Sequence, residues 1–272
     1  MTPADLYACE RGTTALILSI PHSGLLLPDG MAERLTPVSH TLPDTDWRVD
    51  ELYDFACDLG ATVLKANYSR YVVDLNRPPD GASLYPGRPV TDICPSELFS
   101  GEPIYRDGCE PDADEIERRR VTYWQPYHDR LEAELTRMSE RHGHAILYDC
   151  HSIAPIVPRL FDGRLPALNL GTNHGLSCAP AIQDVVVEQL AASGYAHAVN
   201  GRFIGGYITR HYGEPEQGRH VLQMEIAQDA YMDRTTPESY NPLKAVALKA
   251  NLRRLLGALT GLASSDVFDQ VH

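Results

Sequence analysis

Short apolar runs alternate with stretches of helical period along this chain, and that alternation narrows its fold more than any other feature. Ala15 to Ile20, Ala61 to Lys65, Tyr71 to Leu75, Ala145 to Tyr148, Ala167 to Leu170, Ala196 to Asn200, Tyr207 to Thr209 and His220 to Ile226 read as strands. A helix is expected from Thr45 or Asp46, with Val49, Leu52, Tyr53, Ala56 and Leu59 on one face and Gly60 at its end. Asp112 to His142 reads as a long helix that accommodates Pro126 as a kink and stops at Gly143. Ala179 to Ser193 and Pro242 to Leu262 are further amphipathic helices. The alternation predicts an α/β class, three-layer α/β/α, in a single domain over 1–272 with its core at about 13–263 and a loose tail after Ser264. Asn76 to Pro111 shows no strong period, and an irregular stretch of that length suggests function.

Charge excludes several roles. The formal net charge of −13 leaves no basic stripe for nucleic acid or for an anionic membrane surface. A small anionic substrate remains compatible, because local arginines can dominate a pocket. No apolar run reaches the length of about 20 residues that spans a bilayer. Met1 to Gly12 carries acids and lacks a basic-then-apolar leader, so a cytoplasmic protein is expected. The six cysteines (Cys9, Cys57, Cys94, Cys109, Cys150 and Cys178) form no CxxC pair. They read as reduced thiols, and a zinc-thiolate site is not expected.

Two of the strands run into a histidine: His22 in Pro21-His22-Ser23-Gly24, and His151 in Asp149-Cys150-His151-Ser152. Ligands of α/β sheets sit beyond the carboxyl ends of the strands. Either histidine alone reads as a turn cap, whereas the pair together reads as metal ligands. A third ligand is needed, and Asp44, Asp46, Asp50 and Glu51 are its nearest sources. Asp46 is preferred because it sits at a helix start. Glu225 is a carboxylate in an apolar strand, costly to bury unless paired or poised for proton transfer. Asn76-Arg77 follows another run and suits a substrate carboxylate, with Arg70, Arg210 and the adjacent Thr209 as further candidates. His128, His174, His211 and His220 read as packed, surface or supporting groups. No GxSxG elbow surrounds Ser23 or Ser152, and no nucleotide-binding glycine loop is present.

Five motifs in order, Ile20-Pro21-His22-Ser23-Gly24, Asp44-Thr45-Asp46-Trp47, Val73-Asp74-Leu75-Asn76-Arg77, Asp149-Cys150-His151-Ser152 and Gly205-Gly206-Tyr207-Ile208-Thr209-Arg210, resemble the N-formylglutamate amidohydrolase (deformylase) family. The resemblance runs from about Ala15 to Asp233. It implies hydrolysis of N-formyl-L-glutamate to L-glutamate and formate, the last step of one histidine-degradation route. It also implies a mixed central sheet and the phosphorylase/hydrolase-like fold of zinc carboxypeptidases. In that frame His22, His151 and Asp46 match the metal set, Glu225 the general base, and Asn76-Arg77 the carboxylate clamp. One position departs: three residues after the first histidine, where the carboxypeptidase pattern has its acid, stands Leu25. Two imidazoles and a carboxylate suit Zn²⁺, with Co²⁺, Ni²⁺ or Fe²⁺ able to occupy the same set. The other readings are hydrolysis of a different N-acyl or N-formyl acidic amino acid, and a non-catalytic binder of an acidic metabolite.

Overall fold

The computed structural model describes residues 6–82, 91–233, 236 and 239–263; the tail expected to be loose lies outside them. Seven strands form one mixed sheet in the order β1-β3-β2-β4-β7-β5-β6. They are β1 (Tyr7–Glu10), β2 (Leu16–Ile20), β3 (Thr62–Ala66), β4 (Ala145–Ile153), β5 (Leu168–Gly171), β6 (His197–Val199) and β7 (Arg219–Ala227). β3, β2, β4 and β7 run parallel, so their carboxyl ends lie along one edge. β1 joins antiparallel at one side, and β5, with β6 beside it, joins antiparallel at the other.

Side chains of a strand point alternately to the two faces of its sheet, and two separate cores follow from this. Leu16, Leu18, Ile20, Ile146, Tyr148, Leu222 and Met224 join one cluster, with the helices Pro180–Ala192 and Pro242–Ala263. Ile17, Ala145, Leu147 and Val221 join the other, with the helices Gln125–His142 and Tyr207–Tyr212. The result is three layers, α/β/α. The Pro242–Ala263 helix buries Leu248, Leu252, Leu255, Leu256 and Leu259. Each such leucine contributes about 1.5–3 kcal/mol of transfer free energy. Among the described residues no helix is long and apolar enough to cross a membrane.

Several elements differ from the sequence expectation, each for a local reason. β4 runs on to Ile153 and contains the Asp149–Ser152 motif, because β7 pairs with it residue for residue through Ile153 and Ala227. Tyr71 to Leu75 is no strand. Its apolar side chains are buried, but its backbone turns, with the Val72 amide donating to the Ser69 carbonyl and the Asn76 amide to Asp74 Oδ1. Tyr207 to Thr209 opens a helix, since Asn76 Oδ1 accepts from the Ile208 amide and satisfies a helix N-terminus. The helix expected from Thr45 or Asp46 is a short turn at Val49–Leu52 and a 3-10 turn at Ala56–Leu59. The long helix is capped by Asp112, which accepts from the Glu115 amide, and widens into a π turn at Arg120–Trp124 just before Pro126. That widening takes up the amide that proline lacks.

Candidate active site

Three adjacent parallel strands place the chemistry. His22 lies just past the end of β2, His151 lies inside β4, and Glu225 is its register partner on β7. Because alternate residues share a face, Asp149 and His151 stand beside Gln223 and Glu225 on one side of the sheet. Asp46 arrives from the loop after β2, where its amide donates to the His22 carbonyl at 3.1 Å. Side chains of His22, Asp46 and His151 are all buried, and the ligand atoms they offer lie within 4.8 Å of one another.

Each imidazole is oriented by a carboxylate behind it. His22 Nε2 bonds Asp74 Oδ1 at 2.8 Å, and His151 Nε2 bonds Asp149 Oδ2 at 2.8 Å. These contacts place the ring proton on Nε2 and turn both Nδ1 atoms toward Asp46. His22 Nδ1 is 3.7 Å from Asp46 Oδ2, and His151 Nδ1 is 3.1 Å from it. His22 Nδ1 is buried without a hydrogen-bond partner. Ligands bound at about 2.0–2.1 Å in a tetrahedral shell stand roughly 3.3 Å apart, and the observed separations bracket that value. The donor set therefore fits a divalent metal ion.

Electrostatics agree with that reading. Burial works against the Asp46 carboxylate, yet the hydrogen bond from His151 and the nearby His22 and Arg70 hold it below the usual carboxylate range. Burial also opposes the His151 imidazolium, but Asp149 and Asp46 outweigh it and raise the group well above an ordinary histidine. Both shifts favour positive charge between these carboxylates. Burial, with help from Asp46 and Asp149 and against His151 and Arg70, raises Glu225 to about 8. A carboxyl poised near neutrality beside a candidate metal set is suited to proton transfer.

Asp46 is the acid that the fold delivers to the two histidines. Asp44 instead accepts from the Tyr71 hydroxyl and the Phe99 amide, Asp50 pairs with Lys65, and Glu51 pairs with Arg48. Arg70 and Arg77 both line the cavity over the cluster, which measures about 80 Å³. Arg70 is tied down, with Nη1 donating to Asp46 Oδ1 at 3.3 Å and Nη2 to Asp74 Oδ2 at 2.9 Å. Arg77 is braced by the carbonyls of Thr91 and Asn76. Asn76 lines the same cavity, but its amide group is spent on the Ile208 amide and on Asp149 Oδ2. Thr209 and Arg210 are not among the lining residues: Thr209 is fully buried, and Arg210 Nε donates to the Gly205 carbonyl. His128 stacks on Trp124 and bonds the Leu75 carbonyl, and burial lowers its pKa to about 3.

Sequence reasoning missed the orienting roles of Asp74 and Asp149, and it missed Arg202 and Phe99 in the cavity wall. Asp149 had a signal, since it lies two residues before His151 and so shares its face of a strand. Arg202 had none, because the loop that carries it meets the site only through the sheet topology. Gly206 also belongs to the site's support. A side-chain carbon there would sit 2.4 Å from Asn76 Nδ2, so only glycine admits the Asn76 amide against the helix end.

Comparison with known proteins gives one result at three levels. The N-formylglutamate amidohydrolase family model matches residues 14–232. N-formylglutamate deformylase of Pseudomonas putida is 46% identical over 251 residues, covering 92% of this chain and 94% of that one. N-formylglutamate deformylase of Pseudomonas aeruginosa is 47% identical over 256 residues, covering 94% and 96%. The crystal structure of N-formylglutamate amidohydrolase from Ralstonia eutropha JMP134 superposes with a TM-score of 0.80 at 24% identity, covering 95% of this chain and 97% of that one; at that identity it supports the fold.

Proposed function

The chain belongs to the N-formylglutamate amidohydrolase family, and from that premise we propose that it hydrolyses N-formyl-L-glutamate to L-glutamate and formate at a metal held by His22, Asp46 and His151. The observation that carries the metal is the pair of Nδ1 atoms turned onto one Asp46 oxygen, with both Nε2 atoms committed to carboxylates. Nitrogen and oxygen donors in this number suit Zn²⁺, while Co²⁺, Ni²⁺ and Fe²⁺ satisfy the same set.

When bound, a divalent cation supplies Lewis acidity toward the formyl carbonyl and lowers the pKa of water beside it. The chain's own groups do the rest. Glu225 takes the proton of the attacking water and returns it to the amide nitrogen as the C–N bond breaks, leaving formate and a free amine. Arg70 holds Asp46 and Asp74 in place, and Asp74 in turn orients His22. Asn76 steadies Asp149 and hence His151, while Arg77 presents its guanidinium to a substrate carboxylate.

The test is formate release by the purified protein, stripped with chelator and then reloaded with Zn²⁺, Co²⁺, Ni²⁺ or Fe²⁺. Turnover of N-formyl-L-glutamate should vanish on stripping and return on reloading. N-formyl-L-aspartate and N-acetyl-L-glutamate, run in parallel, define the acyl and chain-length preference. Absence of formate with every metal would remove the proposed reaction, and undiminished turnover after complete stripping would remove the metal.

A further inference from the structure

The proposed substrate has two carboxylates, and the arginines that line the cavity are not equivalent. Among the described residues they are Arg70, Arg77 and Arg202. Arg70 has both terminal nitrogens on Asp46 and Asp74, so its charge is already matched by buried carboxylates. Asp46 and Glu225 add acidic groups to the same wall. A dianion entering this space needs cations beyond Arg70.

We propose that Arg202 binds the substrate carboxylate remote from the scissile bond, with Arg77 taking the nearer one. The inference rests on the N-formylglutamate reading. Its geometric basis is the pair of segments from which the two arginines are presented. Arg77 lines the cavity and follows Asn76, whose amide bonds Asp74 Oδ1 and whose Nδ2 lies 3.0 Å from His151 Nε2, so its backbone is anchored beside the acids behind both histidines. The α-carboxylate is separated from the formamide nitrogen by one carbon and the γ-carboxylate by three, so the nearer arginine meets the α group. Arg202 comes from a different part of the chain, the loop after β6: its Nε donates to the Leu160 carbonyl at 2.7 Å, and its guanidinium lies over the Phe203 ring, 5.3 Å from the centroid.

That presentation is built rather than incidental. The loop bearing Arg202 is pinned at both sides: before it the Asn200 amide donates to the Leu170 carbonyl at 2.7 Å, and after it the Asn173 amide donates to the Ile204 carbonyl at 2.6 Å and the Gly206 amide to Gln223 Oε1 at 2.7 Å. Gln223 is two residues before Glu225 on β7, so the strand that carries the base also fixes the arginine loop. Thr209 and Arg210 brace the loop at Gly205, which has a φ of +118° and whose side-chain carbon would fall 2.7 Å from Thr209 Cγ2. A guanidinium held this way loses little freedom when it binds a carboxylate.

The experiment compares N-formyl-L-glutamate, N-formyl-L-glutamine, which lacks only the γ charge, and 4-formamidobutanoate, which lacks only the α-carboxylate. Wild type should lose roughly 10- to 100-fold in kcat/KM when either charge is removed. Arg202→Met should lose the same factor on N-formyl-L-glutamate, mostly in KM, and almost nothing on N-formyl-L-glutamine. Arg202→Lys should recover part of the loss and serves as the control if the methionine variant unfolds. A variant that keeps the wild-type ratio between glutamate and glutamine substrates overturns the proposal, as does one that loses its preference against 4-formamidobutanoate instead. If wild type releases formate from none of them, the hydrolytic reading fails separately. Arg202 is then judged by calorimetric binding of L-glutamate against L-glutamine to the Zn²⁺-loaded protein: discrimination abolished by Arg202→Met upholds the carboxylate site, and discrimination unchanged overturns it.

Discussion

Glu225→Gln in the metal-free protein tests the electrostatics of this site at one group. In the folded chain burial, reinforced by Asp46 and Asp149, raises the Glu225 carboxyl from 4.5 to about 8. The unfolded chain releases the same proton near the ordinary value. Between those two values the folded state binds a proton that the unfolded state has lost, so stability falls as pH rises. The slope in mid-window is about 1.4 kcal/mol per pH unit, and integration between pH 6 and pH 8 gives about 2 kcal/mol. Glutamine does not titrate, so the variant lacks this slope while keeping the other groups of the site. Urea unfolding of chelator-treated wild type and variant at pH 6, 7 and 8 measures the difference directly. The stability of Glu225→Gln relative to wild type should grow by about 2 kcal/mol across that range. Parallel pH curves would refute the reasoning, because Glu225 would then ionise alike in both states. Saturating Zn²⁺ should shift the wild-type slope to lower pH, since a nearby cation favours the carboxylate.

Other substitutions separate the roles of the surrounding groups. His151→Ala should lose bound metal and turnover together, read by elemental analysis and formate release, whereas Glu225→Gln should keep its metal and lose roughly 10²- to 10⁴-fold in kcat. Asp74→Asn should weaken metal affinity by about 10- to 100-fold in competition with a chromophoric chelator, and unchanged affinity would deny Asp74 its orienting role on His22. Gly206→Ala forces a carbon against Asn76 Nδ2. It should cost about 1–3 kcal/mol, seen as a melting temperature lower by roughly 2–10 °C.

Much of the fold was legible because it rests on local pattern. The all-buried runs at Leu16–Ile20 and Ala145–Tyr148 stand out as parallel strands, and the amphipathic stretches between them as helices. The failures are places where a partner outside the segment decided the matter. Tyr207-Ile208-Thr209 carries strand-forming residues, yet Asn76, far off in sequence, supplies the acceptor that starts a helix there. Val72 and Val73 are as buried as any strand residue, but Asp74 turns the chain to reach both His22 and Arg70. Periodicity cannot distinguish a buried turn from a buried strand when the hydrogen bonds are nonlocal. The edge strand Tyr7–Glu10 escaped notice for a related reason: it is half-exposed and takes its conformation from pairing with β3.

Charge accounts for what residue type alone could not reveal about the arginines, and it carries one further consequence. By type, Arg70 stood behind Arg77 as a candidate substrate ligand. Both line the cavity, but Arg70 lies between Asp46 and Asp74, which are held in their charged forms. Without a metal, the attraction of the wall for a dicarboxylate therefore rests on the other lining arginines, Arg77 and Arg202. A divalent cation on His22, Asp46 and His151 would add to that attraction. Metal and dicarboxylate binding should then be coupled, and by linkage the coupling must be the same in both directions. Calorimetry should show L-glutamate binding at least about 10-fold more weakly to the stripped protein than to the Zn²⁺-loaded one, with L-glutamate raising Zn²⁺ affinity by the same factor. Equal affinity of L-glutamate for the two forms would mean that Arg77 and Arg202 alone set the field of the cavity, and that the carboxylates around the histidines are screened from the substrate.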